Sequence, residues 1–465
     1  MSDNNQRHFH LIGIGGSGMT PLAEIASFRG YKISGSDQKI NSNCERLIAS
    51  GIQIFKGHEA SNLDSQAIVV YSSAIRQDNP ELVQAKNSGQ TLWHRSQLLE
   101  FLIGDQKLIG VSGTHGKTST TAMIAHILDQ CGCQPTAFIG GEVGGRKSYS
   151  YTGHGEYFVA ELDESDGSFL RFSPFVSVIN NIDLDHLDFY KNLEEIKAAF
   201  HKFAKQTDPD GAIVLNWDNG HCQELGHEID LNHRLSFGRR IGCDVRGISF
   251  TTKQDASFFK AVVERDLVEG TTPLIGQHNF QNILCALSVV RALEIPIEEA
   301  VTALASFPGV KRRLNRLYNS KSIKILDDYA HNPGKIKACI EAVREAYPDH
   351  WNTVVFQPHR YSRMKTMYNE FVDSFKDADT LVLLPIFSAG EEDCGSYSPQ
   401  QFANDIEQQC DTKVVVFDRF PNPEMLLSLV ETKDRSVLLS VGAGNVYQAS
   451  NDLRDFINGQ DQKET

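Results

Sequence analysis

The sequence lacks any hydrophobic run long enough to cross a bilayer, and its first ten residues contain no apolar segment of the kind found in secretory signals. We therefore expect a cytoplasmic protein with no membrane partner. Positive charge is also scarce, since 45 lysines and arginines stand against 59 acidic residues for a net charge of −14. A chain with this balance has no broad basic surface, so we expect no nucleic acid partner.

The sequence contains no CxxC pair, and its nine cysteines are an odd number that cannot all be bridged. Scattered cysteines of this kind indicate reduced thiols, in agreement with a cytoplasmic chain. Internal repeats and low-complexity tracts are absent as well. With 465 residues, 40% of them hydrophobic and 22% charged, the chain is long enough for about two to four ordinary globular domains.

The most informative segment is a glycine-rich turn between an apolar run and a helical pattern. Residues 108–112 predict a buried strand, and the apolar residues within 123–128 fall on one face of a helix. Between them, residues 113–118 form the pattern Gly-Thr-His-Gly-Lys-Thr, a shorter form of the P-loop that binds nucleotide phosphates. We expect Lys117 to neutralise phosphate oxygens and the Thr118 hydroxyl to bind a magnesium ion. An ATP-using enzyme is therefore the leading class.

Acidic and polar residues follow two further apolar runs. Residues 156–160 predict a buried strand that ends at Glu161, and residues 175–179 predict another, followed by a polar segment that contains His186. In a parallel α/β sheet the carboxyl ends of the strands share one edge, so we expect these residues to meet the P-loop. Carboxylate and hydroxyl oxygens suit Mg²⁺. The alternative is that residues 161–166 form a solvated acidic turn.

A second glycine-rich turn lies near the amino terminus. Residues 8–12 predict a strand, residues 13–18 contain the pattern Gly-x-Gly-x-x-Gly, and residues 21–29 predict a helix. Asp37 follows the next predicted strand, where an acidic residue meets a ribose hydroxyl in dinucleotide-binding folds. This segment predicts a Rossmann-like domain that binds a pyrophosphate-containing ligand. Taken alone, it also fits an NAD(P)-dependent oxidoreductase, or a tight turn without a ligand.

The last third of the chain alternates strands and helices again. Apolar runs at residues 323–326, 353–356, 380–384, 413–417 and 436–439 predict strands, and polar segments that begin at Asp327 and Gln357 follow the first two. Arg360 and Arg363 could face a carboxylate or phosphate together, or belong to a solvated basic surface.

Two asparagines in the middle of the chain are open to two interpretations. Asn279 and Asn282 lie three residues apart at the start of a predicted helix and could bond the edge of a nucleobase. An asparagine near a helix start is more often a cap, however, and the residues alone favour that interpretation.

Taken together, these segments resemble the Mur ligase family over nearly the whole chain. The resemblance rests on residues 13–19, 34–37, 71–75, 94–95, 113–118, 161–166, 181–186, 278–279, 282, 312–313, 327–333 and 356–363. It implies an α/β fold of three domains. These are a Rossmann-like N-terminal domain at residues 1–104, a central P-loop ATPase domain with a mainly parallel sheet at 105–310, and a Rossmann-like C-terminal domain at 311–465.

The resemblance also implies roles for individual residues. A UDP-sugar would bind Gly15, Gly16, Ser17, Gly18, Met19, Asp37, Ser72, Ser73, His94 and Arg95. ATP would bind Gly113, Thr114, His115, Gly116, Lys117, Thr118, Ser119, Asn279, Asn282, Arg313, Asp328 and His331. Mg²⁺, with Mn²⁺ as a substitute, would bind Thr118, Glu161 and His186, and an amino acid would bind Tyr329, His359, Arg360 and Arg363. The catalytic set would be Lys117, Glu161, His186, Arg313 and Asp328.

The implied activity is the ATP-dependent joining of an amino acid to the carboxylate of UDP-N-acetylmuramate through an acyl phosphate, with release of ADP and phosphate. The sequence Phe-Gln-Pro-His-Arg at 356–360 resembles the members that add L-alanine, whereas His-Asn-Pro at 331–333 resembles members that add later amino acids. A recycling ligase that adds a cell-wall tripeptide is the alternative within the family, and an oxidoreductase is the alternative outside it. Either a monomer or a homodimer is expected.

A family feature is absent from this sequence. Several Mur ligases carry a carbamylated lysine at a position that here corresponds to Phe200. The alanine-adding members also lack that lysine, so the resemblance to them is consistent at this position.

Overall fold

Three separate β-sheets organise the chain in the computed structural model. The structure describes residues 7–146, 148–185, 189–229, 233–253, 255–393, 395, 397–430 and 434–464. The chain divides into two units, one of Met1–Ser249, Phe259–Thr271 and Gln281–Pro308, the other of Phe250–Phe258, Thr272–Phe280 and Gly309–Thr465. Within the part that the structure describes, no helix combines the length and apolar character that a membrane span requires.

The first sheet is fully parallel, with strand order β3-β2-β1-β4-β5. This is the arrangement of a doubly wound domain, in which the chain reverses direction across the sheet beside β1. All five residues of β1 are buried. The elements are β1 (His8–Ile12), α1 (Thr20–Phe28), β2 (Lys32–Asp37), α2 (Ser42–Ala49), β3 (Gln53–Lys56), β4 (Ile68–Tyr71), α3 (Pro80–Asn87), β5 (Leu92–His94) and α4 (Arg95–Ile103).

The second sheet has ten strands in the order β15-β14-β13-β12-β11-β10-β6-β9-β7-β8. Its centre is parallel, and β7 and β8 form an antiparallel hairpin at one edge. The elements are β6 (Lys107–Ser112), α5 (Lys117–Gln130), β7 (Thr136–Val143), β8 (Ser148–Tyr151), β9 (Tyr157–Glu161), β10 (Val176–Ile179), α6 (Leu193–Lys205), β11 (Ala212–Asn216), α7 (Gly220–Glu228), β12 (Arg234–Gly238), β13 (Val245–Lys253), β14 (Ala256–Val263), β15 (Asp266–Thr272), α8 (Gln277–Ala292) and α9 (Ile297–Ala305).

The third sheet has six strands in the order β16-β17-β21-β18-β19-β20, and β16 is antiparallel to its neighbour. The other strand pairs are parallel. The elements are β16 (Asn315–Asn319), β17 (Ile323–Asp328), α10 (Pro333–Ala346), β18 (Trp351–Phe356), α11 (Tyr361–Thr366), α12 (Tyr368–Asp373), β19 (Thr380–Leu383), α13 (Pro399–Gln409), β20 (Lys413–Val416), α14 (Pro423–Val430), β21 (Ser436–Val441) and α15 (Tyr447–Glu464).

Both faces of the third sheet are covered by helices. Because side chains alternate along a strand, Val354 and Phe356 of β18 pack in the core that α10, α12 and α13 complete. Val355, between them, packs in the opposite core with residues of α14 and α15. This burial on two faces explains why the strands are continuous apolar runs rather than alternating ones.

Strand register determines which segments surround the P-loop. β6 pairs in parallel with β9 and β10, so that Val111 lies opposite Glu161 and Ser112 lies opposite Ile179. Because the three strands end at one edge, the segments after β9 and β10 flank the turn between β6 and α5.

The strands predicted from the sequence are present, but some boundaries differ. Asp37 is the last residue of β2 rather than a residue that follows it. Asp327 and Asp328 do not follow a strand, as the sequence suggested, but are the last two residues of β17. They pair with Ser440 and Val441 of β21 and are only 2% and 6% exposed. The Ser440 hydroxyl donates a hydrogen bond to Asp327, which helps to keep its carboxyl group within the sheet.

Candidate active site

Two glycines shape the turn between β6 and α5. Gly113 and Gly116 have φ angles of +129° and +81°, which favour glycine. A Cβ atom on Gly116 would lie 2.8 Å from Asn282 Oδ1, and one on Gly113 would lie 3.0 Å from Asn180. The turn therefore requires both glycines, and it leads directly into the first turn of α5, which contains Ser119. The amide groups at such a helix start attract anions.

Lys117, the first residue of α5, is held by an ion pair. Its Nζ donates to both carboxylate oxygens of Glu164, at 2.8 Å each, and to the Gly113 carbonyl at 2.8 Å. The Glu164 side chain is 2% exposed and that of Lys117 is 13% exposed. Burial by itself lowers the pKa of the Lys117 ammonium, but the carboxylates of Glu164 and Asp163 raise it above its ordinary value. Lys117 therefore carries its full charge.

Thr118 and Glu161 form the second contact of the P-loop. The Thr118 hydroxyl donates to Glu161 Oε1 at 3.0 Å, and the other carboxylate oxygen accepts from the Gly140 amide at 2.8 Å. A hydroxyl oxygen and a carboxylate oxygen side by side are the donors that Mg²⁺ prefers, and Mg²⁺ usually keeps several waters besides. Among the described residues, no three His, Cys, Asp or Glu side chains cluster as a complete protein metal site. His186, the third predicted ligand, lies outside the described residues.

The segment after β10 holds the P-loop from the other side. Asn181 Oδ1 accepts from the His115 amide at 2.7 Å, and Asn180 Nδ2 donates to the His115 carbonyl at 3.3 Å. The Asp183 amide donates to the Thr114 hydroxyl at 3.0 Å. The backbone of the loop is therefore ordered by side chains from a distant segment.

The amino-terminal glycine turn is held just as closely. The Gly15 amide donates to Asp37 Oδ2 at 3.0 Å, and the Gly15 carbonyl accepts from the Asn41 and Asn43 side chains at 3.1 and 3.0 Å. A Cβ atom on Gly15 would lie 2.5 Å from Cys44 Sγ. Asp37 thus shapes the turn itself, a role that the dinucleotide pattern did not indicate.

The remaining residues of this turn differ in their exposure and in the space around them. Gly16 and Ser17 are exposed, and a Cβ atom on Gly18 would lie 2.8 Å from Arg95 Nη1. The Met19 side chain is 3% exposed and packs in the core, so only its backbone is available to a ligand.

A polar cavity of about 570 Å³ lies beside residues that the sequence assigned to the UDP-sugar. Ser73 donates to Asp166 at 2.7 Å and lies 3.1 Å from His94 Nε2. Burial and the neighbouring Arg95 lower the pKa of His94, against the opposing effect of Asp166. Ser72 belongs to the adjoining turn, its carbonyl accepting from the Ile75 amide. The cavity is lined by Ser73, His94, Ser96, Glu100, Asp166, Gly167, Ser168 and Arg171.

The acidic segment 163–166 links this cavity to the P-loop. Asp163 pairs with Arg95 at 3.1 Å, Glu164 pairs with Lys117, and Asp166 accepts from Ser73. Burial alone would raise the pKa of Asp163, but Lys117 and Arg95 lower it below its ordinary value. A solvated acidic turn is therefore the wrong interpretation of this segment, because each of these three carboxylates has a partner elsewhere in the unit.

In the other unit, residues near the end of β17 form a compact polar group. Asp328 accepts from the amides of Leu314 and Ala330, at 2.7 and 2.6 Å. The Arg313 guanidinium lies 5.8 Å from the centre of the Tyr329 ring, and that of Arg312 lies 4.9 Å from it. Tyr329 is 37% exposed and so can contact a ligand directly.

Asp327, the preceding residue of β17, is also buried. Burial raises the pKa of its carboxyl group to about 6, although Arg312, 3.5 Å away, opposes this change. Arg312 also donates to the Gly442 and Gly444 carbonyls, and so joins the ends of β17 and β21.

The residues assigned to the amino acid cluster near the end of β18. The His359 ring stacks on Phe387 at 5.5 Å and lies 5.9 Å from His331, and Arg363 Nη1 is 2.9 Å from His359 Nδ1. Burial and the charge of Arg363 lower the pKa of His359 to about 4, and burial lowers that of His331 to about 3. Both rings are neutral at pH 7. Arg360 has a φ angle of +69°, a strained conformation of the kind that is common at functional sites.

The two asparagines of α8 are both buried. In one unit, Asn279 Nδ2 donates to the Ile275 carbonyl at 2.8 Å. In the other unit, Asn282 Oδ1 accepts from the Thr120 hydroxyl at 3.1 Å. Neither of these contacts is a helix cap of the expected kind, in which the asparagine oxygen accepts an amide of its own helix.

Phe200 is fully buried, and its ring lies 5.3 Å from that of Phe169. Phe203 also contacts Phe169, so an aromatic cluster fills this position, where the resemblance predicts the lysine of other Mur ligases.

Several residues of the site escaped sequence reasoning. Glu164 was not assigned a role, although it is the partner of Lys117, and neither were Asn43 and Asn180. The acidic run 161–166 was a usable signal for Glu164. Asn180 begins the polar segment that we expected to meet the P-loop, whereas no local pattern marks Asn43, whose partner is 28 residues away in the chain.

Three family models match the chain, and together they cover most of it. They are the Mur ligase family catalytic domain at residues 8–107, the Mur ligase middle domain at 111–290 and the Mur ligase glutamate ligase domain at 312–444. The chain therefore belongs to the Mur ligase family and has its three-domain α/β fold.

Individual proteins that are similar to this chain are more specific than the family models. UDP-N-acetylmuramate–L-alanine ligase of Desulforapulum autotrophicum is 38% identical over 97% of this chain and 98% of its own length. The enzyme of the same name from Persephonella marina is also 38% identical, over 98% of both chains. The crystal structure of UDP-N-acetylmuramate-alanine ligase from Thermotoga maritima has a TM-score of 0.83 at 26% identity, and covers 98% of this chain and 99% of that one.

Proposed function

We propose that this protein is a cytoplasmic ligase that uses ATP to join L-alanine to the carboxylate of UDP-N-acetylmuramate in peptidoglycan precursor synthesis. The observation that carries the proposal is the acidic segment 163–166. It contacts both the P-loop lysine and the residues Ser73 and Arg95 beside the polar cavity. The relatives of near-equal length named as L-alanine ligases support the choice of acceptor. An oxidoreductase would leave the P-loop and this segment without a purpose.

We assign the phosphates of ATP to the turn at residues 113–119. Lys117 keeps its charge and can exchange Glu164 for phosphate oxygens, and the amides at the start of α5 point to the same place. Asn279, Asn282, Arg313, Asp328 and His331 remain the proposed contacts to the rest of the nucleotide.

The oxygen donors Thr118 and Glu161 fit a magnesium ion, with His186 as the third proposed ligand. When bound, the ion would neutralise charge on the phosphate oxygens. The chain's own part is to hold Glu161 in place, through the Gly140 amide.

The sugar nucleotide is assigned to the amino-terminal turn and the polar cavity. Exposed Gly16 and Ser17 can approach its pyrophosphate, while Ser73 and His94 face the cavity. Under this assignment the muramic acid carboxylate binds between the cavity and Lys117. There it would attack the γ-phosphate in line, forming an acyl phosphate and releasing ADP.

L-Alanine is assigned to Tyr329, His359, Arg360 and Arg363. An arginine pair suits a carboxylate, which guanidinium groups bind through two parallel hydrogen bonds. The neutral amine then attacks the acyl carbon, and phosphate leaves. With a pKa of about 4, His359 is a weak base at pH 7, which favours a role in orienting the amino acid over one in accepting its proton.

The test is ATP-dependent phosphate release with UDP-N-acetylmuramate and four separate acceptors: L-alanine, glycine, L-serine and the cell-wall tripeptide. We expect release that requires L-alanine. Release with the tripeptide alone would retain the chemistry but assign the protein to cell-wall recycling. Absence of release with every acceptor, while a known family member is active in the same assay, would refute the proposal.

A further inference from the structure

Four hydrogen bonds converge on the carboxylate of Glu24, in the helix that follows the amino-terminal glycine turn. Glu24 Oε1 accepts from Arg46 Nε and Nη2, at 3.2 and 2.9 Å. Glu24 Oε2 accepts from the Ser148 and Ser150 hydroxyls, at 2.9 and 2.7 Å. Arg46 belongs to the first sheet's α2, whereas the two serines belong to β8 of the second sheet. Glu24 therefore joins elements of two different sheets within one unit.

One side of this junction reaches the glycine turn. Arg46 Nη1 donates to Asn43 Oδ1 at 3.4 Å, and Asn43 Nδ2 in turn donates to the Gly15 carbonyl at 3.0 Å. Asn43 is 8% exposed and also lies 3.4 Å from the hydroxyl of Tyr149 on β8. Arg46 and Gly15 therefore bind opposite ends of the same side-chain amide, which connects Glu24 to the glycine turn.

The other side of the junction reaches the P-loop. β8 pairs with β7 through Ser150 opposite Phe138 and Ser148 opposite Val143, and the register shifts between these two pairs. Gly140 lies in the shifted stretch, and its amide donates to Glu161, the carboxylate that accepts from Thr118. The β7–β8 hairpin is thus bonded to Glu24 at one strand and to Glu161 at the other.

We propose that Glu24 is a positioning residue that couples the sugar-nucleotide site at Gly15 to the ATP site at Thr118 and Glu161, through the β7–β8 hairpin. This inference rests on the proposed function. A ligand at either site would hold the hydrogen bonds of the hairpin that both sites share, so the second ligand would bind more tightly. The coupling is reciprocal, because each ligand must change the affinity for the other by the same factor.

The experiment measures UDP-N-acetylmuramate binding to the full chain by titration calorimetry, with and without a non-hydrolysable ATP analogue and Mg²⁺. In the unchanged protein we expect the analogue to tighten binding by about 5-fold or more. The ratio of the dissociation constants without and with the analogue is expected to fall toward one in Glu24→Gln, and also in the milder variant Ser150→Ala. The reciprocal titration, with the analogue as the variable ligand, should give the same ratios.

Asp129→Asn is the matched control. Asp129 pairs with Arg146 in the turn of the same hairpin at 3.1 Å, and it contacts neither Glu24 nor the two serines. It should retain the full ratio. If the affinity ratio is unchanged in Glu24→Gln, with or without a lower melting temperature, Glu24 has a structural role alone and the inference is overturned. An equal loss of the ratio in Asp129→Asn would also overturn it. So would the absence of coupling in the unchanged protein. Failure of the unchanged protein to bind the sugar nucleotide at all would overturn the proposed function as well.

Discussion

Lys117 is held by contacts within its own unit. Its ammonium donates to Glu164 and to the Gly113 carbonyl, both at 2.8 Å. A polyphosphate offers the same ammonium more oxygen atoms and more negative charge. Under the proposed function, the ion pair with Glu164 keeps the lysine charged and oriented until a nucleotide takes the place of the carboxylate.

Replacing Lys117 by alanine should reduce turnover by at least about 10²- to 10³-fold, because the transferring phosphoryl group loses its main cationic partner. Binding of UDP-N-acetylmuramate should persist. Steady-state phosphate release and calorimetry measure the two effects. Lys107→Ala, which removes an exposed lysine from the start of β6, the strand before the P-loop, is the control and should be nearly neutral. Loss of sugar-nucleotide binding in Lys117→Ala would mean that the two phosphate sites are misassigned.

Glu164→Gln should lower the free energy of unfolding by about 3 kcal/mol, since it leaves a buried ammonium without its carboxylate partner. ATP should then raise the melting temperature more in the variant than in the unchanged protein, because phosphate oxygens replace the missing carboxylate. Thermal unfolding with and without ATP checks both statements. Equal shifts in the two proteins would show that ATP does not take the place of Glu164.

At the scale of elements, β1, β2 and α3 are joined by a buried polar cluster behind the glycine turn. The Glu81 carboxylate is fully buried and accepts from Ser36 at 2.5 Å and Asn62 at 2.7 Å, with His10 at 3.4 Å. The Ser36 carbonyl in turn accepts the amides of the turn's first two residues, Gly13 and Ile14. The strand end that supports the turn is thus attached to a helix.

Glu81→Gln should destabilise the protein by about 3–5 kcal/mol, the range for removing one charge of a buried, hydrogen-bonded group. Burial alone would raise the pKa of Glu81, but His10 and Ser36 lower it below its ordinary value. The stabilisation is therefore present at neutral pH and is lost as the pH falls through this lowered pKa. Urea unfolding measures the change. Asp64→Asn, at a carboxylate that is 39% exposed, is the control and should have a much smaller effect on stability.

At the scale of the whole molecule, burial lowers the pKa of histidines in every part of the fold. Near pH 6.5 these side chains bind protons in the unfolded chain but remain neutral in the folded protein. The histidines are His8, His94, His126, His278, His331, His350 and His359.

Stability should therefore fall as the pH decreases from about 7 to about 5. In this range the unfolded chain takes up more protons than the folded one, which favours unfolding. Denaturant unfolding at several pH values measures the slope. His331→Gln, at a histidine whose pKa is lowered to about 3, should reduce that slope. A stability that is constant or rises over this range would contradict the prediction.

The local patterns of the sequence determined many of the strands, the two glycine turns and the family, but did not indicate the β7–β8 hairpin or β12–β15. A glycine turn between a strand and a helix involves neighbours in the chain, so Gly113, Gly116 and Lys117 could be located from composition and spacing alone. The parallel sheet then implied that Glu161 would meet the P-loop, because strand ends share an edge. That expectation needed no knowledge of any single contact.

Only the tertiary structure decided the partners of the charged groups. Glu164 is 47 residues from Lys117, and Glu24 is 124 residues from Ser148, so no periodicity relates them. Asp327 and Asp328 became part of β17 because β21 pairs with them, which overrides the local preference of aspartate for turns. A buried charge must find an opposite charge or a donor wherever the fold supplies one, and that choice depends on which distant segments pack together.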